Sequence, residues 1–425
     1  MSTMQERKID RVGESYYEVR HASGLQIFVY PKSQSHSTYA IFGTNYGSID
    51  NAFRRSGETE VTRVPNGIAH FLEHKMFENE DGVDTFARYA QTGANANAYT
   101  SFDKTCYLFS CSDHVYESLE ILLDFVQKPY FTAQTVQKEQ GIIGQEIQMY
   151  DDDPGWQVLF NMLGAMYHTH PVKLDIAGSV ESIAKITPEL LYECYHTFYN
   201  LNNMALCVVG NVEPDKVLAL CDKLLKPSQD MQVQRYFEPE PPSVLKPRVC
   251  VKGSVANPMF YFGFKEDAAH RPTVQQMAET EILLQTVSGD CSPLFRRLLD
   301  AGLINEASFD SEYFEGPGYA SVLFSGESKD ADAVAAQILQ ELERVRQDGL
   351  DPELFENAKR SVYGRIISGF NSVESLANGM IADCFAGRSL VADVNAAAAV
   401  TKAAAEKRLQ TQLLPQNAVL SIVEP

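Results

Sequence analysis

The sequence predicts an α+β protein made of two similar domains, related by an internal duplication. A helical pattern recurs at one constant offset, pairing Leu119, Leu123 and Val126 with Ile338, Leu342 and Val345. The buried-strand pattern of residues 204–209 also recurs at residues 418–423. Between the copies, residues 226–248 hold five prolines among polar residues, which is typical of a linker. We therefore predict a first domain at 1–230, a proline-rich linker at 231–245 and a second domain at 246–425.

Within the first half, residues 16–30 predict two short strands that turn at 21–24, and residues 38–47 predict a third. Apolar periodicity predicts helices at 84–91 and 113–127, with a single strand over 99–111. Thr132 is predicted to cap the next helix, which ends before Pro154. The apolar run at 204–209 then closes the half as a buried strand.

The segment 68–77 carries the chemistry of the first half. On a helix, His70 and His74 lie four residues apart and leave the same face. A helix offers two imidazole nitrogens to one Zn²⁺ in this way, at about 2.0–2.1 Å each. Glu73 lies beside them and can act on a water without being a ligand. The order His-x-x-Glu-His is that of inverted zinc peptidases, although an ordinary amphipathic helix can also carry it.

A second signal lies further downstream. Glu139 and Glu146 are seven residues apart in a predicted helix, so two turns return them to one face. A catalytic zinc site needs three protein ligands and one open position. A carboxylate from this second helix, Glu139 or Glu146, would complete the set.

These motifs together resemble the pitrilysin/insulinase family of zinc metallopeptidases. The resemblance rests on His70, Glu73 and His74, followed by Glu139 and Glu146, and on the Asn-Ala-x-Thr strand at 97–100. The turn at 47–50 and the segment 24–29 also match. The likeness is to the half-size branch, similar to mitochondrial processing peptidase subunits and bacterial two-subunit peptidases. It covers the whole chain and is strongest at residues 24–212.

The resemblance implies a fold and a mechanism. Each domain should be a mainly antiparallel sheet with helices packed on one face. One Zn²⁺ per chain is expected on His70, His74 and Glu146, and Glu73 should be the base of a metalloendopeptidase acting on peptides or short unfolded polypeptides in an enclosed cleft. Glu139 should orient a ligand histidine. Asn97 and Ala98 should bind the substrate backbone as an added strand.

The second domain should not be catalytic. At the offset of the repeat, Glu139 corresponds to Ala358 and Glu146 to Arg365, and no histidine follows His270. Half-size relatives commonly carry an Arg and a Tyr in this half that bind the substrate carbonyl. Here the Tyr position falls on Asn305, and the Arg position falls on Leu299 or, if a one-residue gap moves, on nearby Arg297, which follows Arg296.

This departure predicts a dimer. The resemblance implies either a related zinc-less subunit that supplies the missing pair, or a homodimer in which Arg297 or Arg296 stands in. Two other interpretations stay open. One is a non-catalytic structural or assembly subunit that retains a zinc site, and the other is a peptide-binding module with structural zinc.

Composition and charge indicate the cellular compartment of the protein and exclude some classes of binding partner. The chain is 44% hydrophobic and 22% charged, as in globular proteins, and its net charge of −20 argues against nucleic acid or an anionic membrane surface. Neither a signal-peptide core nor an apolar run of about 20 residues is present in the sequence. The eight scattered cysteines favour reduced thiols. We therefore predict a cytoplasmic protein.

Overall fold

The computed structural model describes residues 4–267 and 271–425. The strands of these ranges are β1 Met4–Ile9, β2 Glu14–Arg20, β3 Gln26–Pro31, β4 Thr38–Thr44, β5 Ala52–Arg54, β6 Thr62–Arg63, β7 Asn95–Thr100, β8 Thr105–Cys111, β9 Met204–Gly210, β10 Gln234–Arg235, β11 Arg248–Lys252, β12 Met259–Lys265, β13 Asp310–Gly316, β14 Tyr319–Glu327 and β15 Ala418–Glu424.

The α-helices of these ranges are α1 Ile68–Lys75, α2 Thr85–Thr92, α3 Val115–Phe125, α4 Ala133–Asp152, α5 Pro154–Met166, α6 Val180–Ile183, α7 Pro188–Phe198, α8 Pro214–Leu224, α9 Val274–Ser288, α10 Pro293–Asp300, α11 Ala331–Asp348, α12 Pro352–Gly369, α13 Val373–Phe385, α14 Leu390–Ala399 and α15 Lys402–Thr411. None of them combines the length and apolarity needed to cross a lipid bilayer.

The chain forms two compact units, and neither is contiguous in sequence. The first comprises residues 4–147, 175–236 and 368–390, and the second comprises the rest of the described chain. The chain passes between the units at residues 236 and 237, inside the segment predicted to be the linker. Two segments depart from the predicted boundaries, because 148–174 belong to the second unit and 368–390 to the first.

The sheet of the first unit has the strand order β1-β2-β3-β9-β4-β8-β7. Only the pair β3–β9 is parallel, and the other neighbours are antiparallel. Strands β4 and β9 are buried along their whole length, as expected of near-continuous apolar runs. Helix α3 packs on β4 and β8, and α8 packs on β3.

The sheet of the second unit has the order β11-β15-β12-β14-β13. Again one pair, β11–β15, is parallel and the remaining pairs are antiparallel. These strands repeat β3, β9, β4, β8 and β7 of the first sheet in the same spatial order. Helices α4 and α12 begin at residues 133 and 352, and α5 and α13 at residues 154 and 373, so both pairs have the offset of the sequence repeat. The predicted α+β fold and its internal duplication are therefore confirmed.

Each unit is completed by a helix from the other half of the sequence. Helix α13 packs on β4 and β9 of the first unit, and α5 packs on β12 and β15 of the second. Gly43 on β4 leaves room for Ile381, since a Cβ there would lie 3.1 Å from the Ile381 Cγ2 atom. Gly263 on β12 does the same for Met162, whose Sδ would lie 2.7 Å away. Because α5 and α13 occupy equivalent positions in the repeat, the exchange is reciprocal.

One predicted element is wrong. The strand predicted over 99–111 is a hairpin, in which β7 ends at Thr100 and β8 begins at Thr105. The Ser101 amide donates to the Lys104 carbonyl at 2.8 Å and closes the turn. Residues 101–104 are therefore the loop of the hairpin.

Candidate metal centre

Helix α1 brings two of the predicted ligands to one place. Its apolar residues Phe71 and Leu72 are fully buried, and the helix packs against α7, β7 and β8. This anchoring fixes the rotation of the helix, so His70 and His74 share the neighbouring face. Their ring centroids are 4.6 Å apart.

Helix α4 supplies the third group. Thr132 accepts from the Thr135 amide at 3.2 Å, as expected of a capping residue at the start of this helix. Glu146 faces both histidines, with Oε1 3.6 Å from His70 Nε2 and Oε2 3.5 Å from His74 Nε2. The three ligand atoms lie within 4.8 Å of one another. Tetrahedral zinc with bonds of about 2.0–2.1 Å holds its ligand atoms about 3.3 Å apart, so this donor set fits zinc.

Glu139 lies beside the metal centre. Its carboxylate is buried and accepts a hydrogen bond of 3.0 Å from His74 Nδ1. A neutral His74 with its proton on that nitrogen would keep a lone pair on Nε2, which lies 3.5 Å from Glu146 Oε2. Burial lowers the pKa of His74, but the hydrogen bond to Glu139 and the surrounding carboxylates raise it by more than burial lowers it. The pKa of His74 therefore lies above the ordinary value. His70 Nδ1, by contrast, is buried without a hydrogen-bond partner among the described residues.

Glu73 is buried next to the two histidines. Thr100, the last residue of β7, donates its hydroxyl to Glu73 Oε2 at 2.6 Å. Burial raises the pKa of Glu73, although the adjacent histidines and Thr100 oppose this shift. Glu73 is outside the group of three that converges on a common point, which fits a proton-transfer role rather than ligation.

Strand β7 lies at the edge of the first sheet and carries the predicted substrate-binding residues. Among the described residues β7 pairs with β8 alone, so its outer edge has no strand partner. The Ala98 amide donates to the Asn97 side-chain oxygen at 2.9 Å. An adjacent side chain thus satisfies this edge amide where a peptide carbonyl could replace it.

Arg296 and Arg297, the two arginines near the expected Arg position of the second domain, both form ion pairs with carboxylates. Arg297 donates to the buried carboxylate of Glu341 at 2.6 Å, and Arg344 binds the other oxygen of that carboxylate. The pKa of Glu341 is lowered, because the hydrogen bonds from the two arginines outweigh its burial. Arg296 forms an exposed ion pair with Asp300.

The sequence predicts no role for Thr100 or for Arg235. Thr100 is the last residue of the Asn-Ala-x-Thr motif at 97–100, and its place in that motif is the one sequence feature that indicates a role. Arg235 lies within the predicted linker, yet it forms an ion pair with the buried Asp50. No local pattern connects two residues so far apart in the chain.

Two family models match the sequence of this chain. Residues 56–180 match the family described as insulinase (peptidase family M16), and residues 185–362 match the peptidase M16 inactive domain. The Bacillus subtilis protein named uncharacterized zinc protease YmfH is 38% identical over 98% of both chains. A second B. subtilis protein, uncharacterized zinc protease YmxG, is 24% identical over 75% of this chain and 78% of its own.

Solved structures of M16-like peptidases are also similar to this chain. An M16-like peptidase from Alicyclobacillus acidocaldarius superposes with a TM-score of 0.92 at 34% identity, covering 100% of this chain and 98% of the other. Pitrilysin superposes with a TM-score of 0.78 at 16% identity, and the match covers 100% of this chain and 47% of pitrilysin. The chain belongs to the insulinase family of zinc proteases, peptidase family M16.

Proposed function

We propose that this protein is a zinc-dependent endopeptidase that hydrolyses peptides or short unfolded polypeptides. The observation that carries the proposal is the convergence of His70, His74 and Glu146 within 4.8 Å, with the buried Glu73 beside them. When bound there, zinc supplies a Lewis acid that acidifies water and polarises a carbonyl.

The residues of the chain divide the remaining work. Glu73 accepts the proton of the attacking water and then delivers it to the leaving amine. Thr100 holds one oxygen of Glu73, which leaves the other oxygen for the proton transfer. Glu139 keeps His74 in the tautomer that ligates. The open edge of β7 at Asn97 and Ala98 aligns the peptide backbone with little dependence on its sequence.

Metal analysis combined with a cleavage assay tests the proposal. The purified chain should contain about one Zn²⁺, because a catalytic site of this kind holds one ion on three protein ligands. A chelator should remove both the zinc and the cleavage of an unstructured peptide, and added zinc should restore both. A chain that contains one Zn²⁺ but cleaves no peptide, either alone or together with any co-purifying subunit, would instead favour a non-catalytic subunit.

We further propose that the chain is the metal-bearing subunit of a dimeric peptidase. Asn305 stands where half-size relatives carry the Tyr, the Arg position falls on Leu299 or Arg297, and Arg297 is held by Glu341. A related zinc-less subunit would then supply the missing donors. One oxyanion donor is worth about 2.7–4 kcal/mol, or roughly 10²–10³-fold in kcat.

The isolated chain is therefore expected to bind zinc but to cleave peptides about 10²–10³-fold more slowly than the complete pair. The measurement is kcat/KM for the chain alone and after addition of the related subunit. Full activity of the chain alone, lost in Arg297→Ala, would favour the homodimer over the heterodimer.

A further inference from the structure

Arg235 connects the predicted linker to the first unit. It lies in β10, which pairs with β5 so that Arg235 is opposite Phe53. Its guanidinium binds both oxygens of Asp50, with Nε 2.6 Å from Oδ1 and Nη2 3.2 Å from Oδ2. Asp50 is only 1% exposed. Burial raises the pKa of Asp50, and Arg235 and the Gly47 amide oppose that shift.

Asp50 shapes the turn that precedes it. Its Oδ2 accepts the Gly47 amide at 2.8 Å. Position 47 has no room for a side chain, because a Cβ would collide with the Phe102 carbonyl. The next two amides of the turn, Ser48 and Ile49, donate to the carbonyls of residues 101 and 102 at 3.0 Å each. The turn is thus docked on the loop of the β7–β8 hairpin.

Arg235 also reaches both sides of this junction directly. Its Nη2 donates to the Asn45 side-chain oxygen at 2.8 Å and to the Asp103 carbonyl at 3.0 Å. One planar guanidinium therefore binds the turn through Asp50 and Asn45, and the hairpin loop through Asp103. A lysine ammonium cannot reproduce this fork.

The β7–β8 hairpin contacts Glu73, the proposed general base, through Thr100. Thr100 and Thr105 face each other at the last pair of β7 and β8, and Thr105 donates to the Tyr46 carbonyl at 2.9 Å. Thr100 donates to Glu73. Hydrogen bonds from Arg235 to the turn and the hairpin loop, together with the pairing of Thr105 with Thr100, therefore connect Arg235 to the residue that binds the carboxylate of Glu73.

We propose that Arg235 is a positioning residue, which locks the turn at 45–50 onto the hairpin loop at 101–104 and so holds Thr100 against Glu73. This inference rests on the proposed peptidase function. Displacement of a reacting group by about 1 Å can cost about 10²-fold in rate, so a remote clamp has a measurable effect on kcat.

Arg235→Lys tests the proposal, and Arg55→Lys is its matched control. Arg55 lies in the same unit, is 23% exposed against 21% for Arg235, and likewise binds carboxylates, those of Glu58 and Glu193. Arg235→Lys should keep its zinc and its KM while kcat falls about 10–100-fold. Amide hydrogen exchange should speed up at residues 100–105. In Arg55→Lys, kcat and exchange at 100–105 should match the parent protein.

Asn45→Ala removes a single acceptor of Arg235 and serves as the milder variant if Arg235→Lys does not fold. It should move kcat and exchange in the same direction by a smaller factor. Unchanged kcat in a folded variant, or an equal loss in Arg55→Lys, would overturn the proposal. Absence of zinc-dependent cleavage by the parent protein and its subunit pair would refute the proposed function. Exchange at 100–105 would then decide the clamp alone, with unchanged rates overturning it.

Discussion

Glu73→Gln is expected to retain its zinc and to lose turnover by about 10²–10⁴-fold, the range that a positioned general base contributes. Glutamine has nearly the shape of glutamate and can still accept the Thr100 hydroxyl, but it cannot accept a proton from water. The variant separates the base from the ligands, because Glu73 is not one of the three groups that converge on the metal centre. Zinc content and kcat for an unstructured peptide are the two measurements.

His70→Ala is the contrasting variant. It removes a ligand, so zinc and turnover should be lost together. Turnover retained in Glu73→Gln would show that the general base lies elsewhere. Zinc retained at full occupancy in His70→Ala would contradict the ligand assignment.

Helical spacing predicts which side chains share a face, and the family resemblance predicts which of them are the ligands. His70 and His74 are one turn apart and Glu139 and Glu146 are two turns apart, so each pair shares a face in any regular helix. The structure brings His70, His74 and Glu146 together and places Glu139 against His74. Only the meeting of the two helices needed tertiary structure.

The clamp on the hairpin could not be predicted in this way. Arg235 and Asp50 come together because β10 pairs with β5, and these strands are two and three residues long. Such short strands have too few residues for a period-2 pattern to identify them. The prolines near Arg235 favoured a linker, and they gave no sign of a residue that binds a buried carboxylate.

The exchange of α5 and α13 has a different physical reason. Both helices were within reach of prediction, since their first residues, Pro154 and Val373, are related by the same offset as the repeat found at 119–136. The repeat, however, relates the two helices to each other without assigning either helix to a sheet. The choice between the sheets depends on chain connectivity, so predicted domain boundaries that follow the sequence omit it.

This exchange makes the unit with the candidate metal centre depend on a helix that lies far beyond the predicted linker in the sequence. Ile381 on α13 is fully buried and lies against Gly43 of β4. Met380 beside it is 3.4 Å, measured from its sulfur, from the Cys207 sulfur on β9. Asn378 of the same helix accepts the Tyr99 hydroxyl of β7 at 2.9 Å. The helix thus supports both the central strands and the edge strand β7.

Ile381→Ala is therefore expected to lower the free energy of unfolding of the first unit by about 2–5 kcal/mol, the usual cost of truncating a buried Ile or Met. Hydrogen exchange should speed up in β4 and β9, residues 38–44 and 204–210. Met162→Ala is the matched control, since Met162 occupies the equivalent position in the repeat, is fully buried and packs against Gly263 of β12. It should speed up exchange in β12 and β15 instead. If Ile381→Ala loosened β12 and β15 while leaving β4 and β9 protected, α13 would belong to the sheet of its own half, and the reciprocal exchange would be refuted.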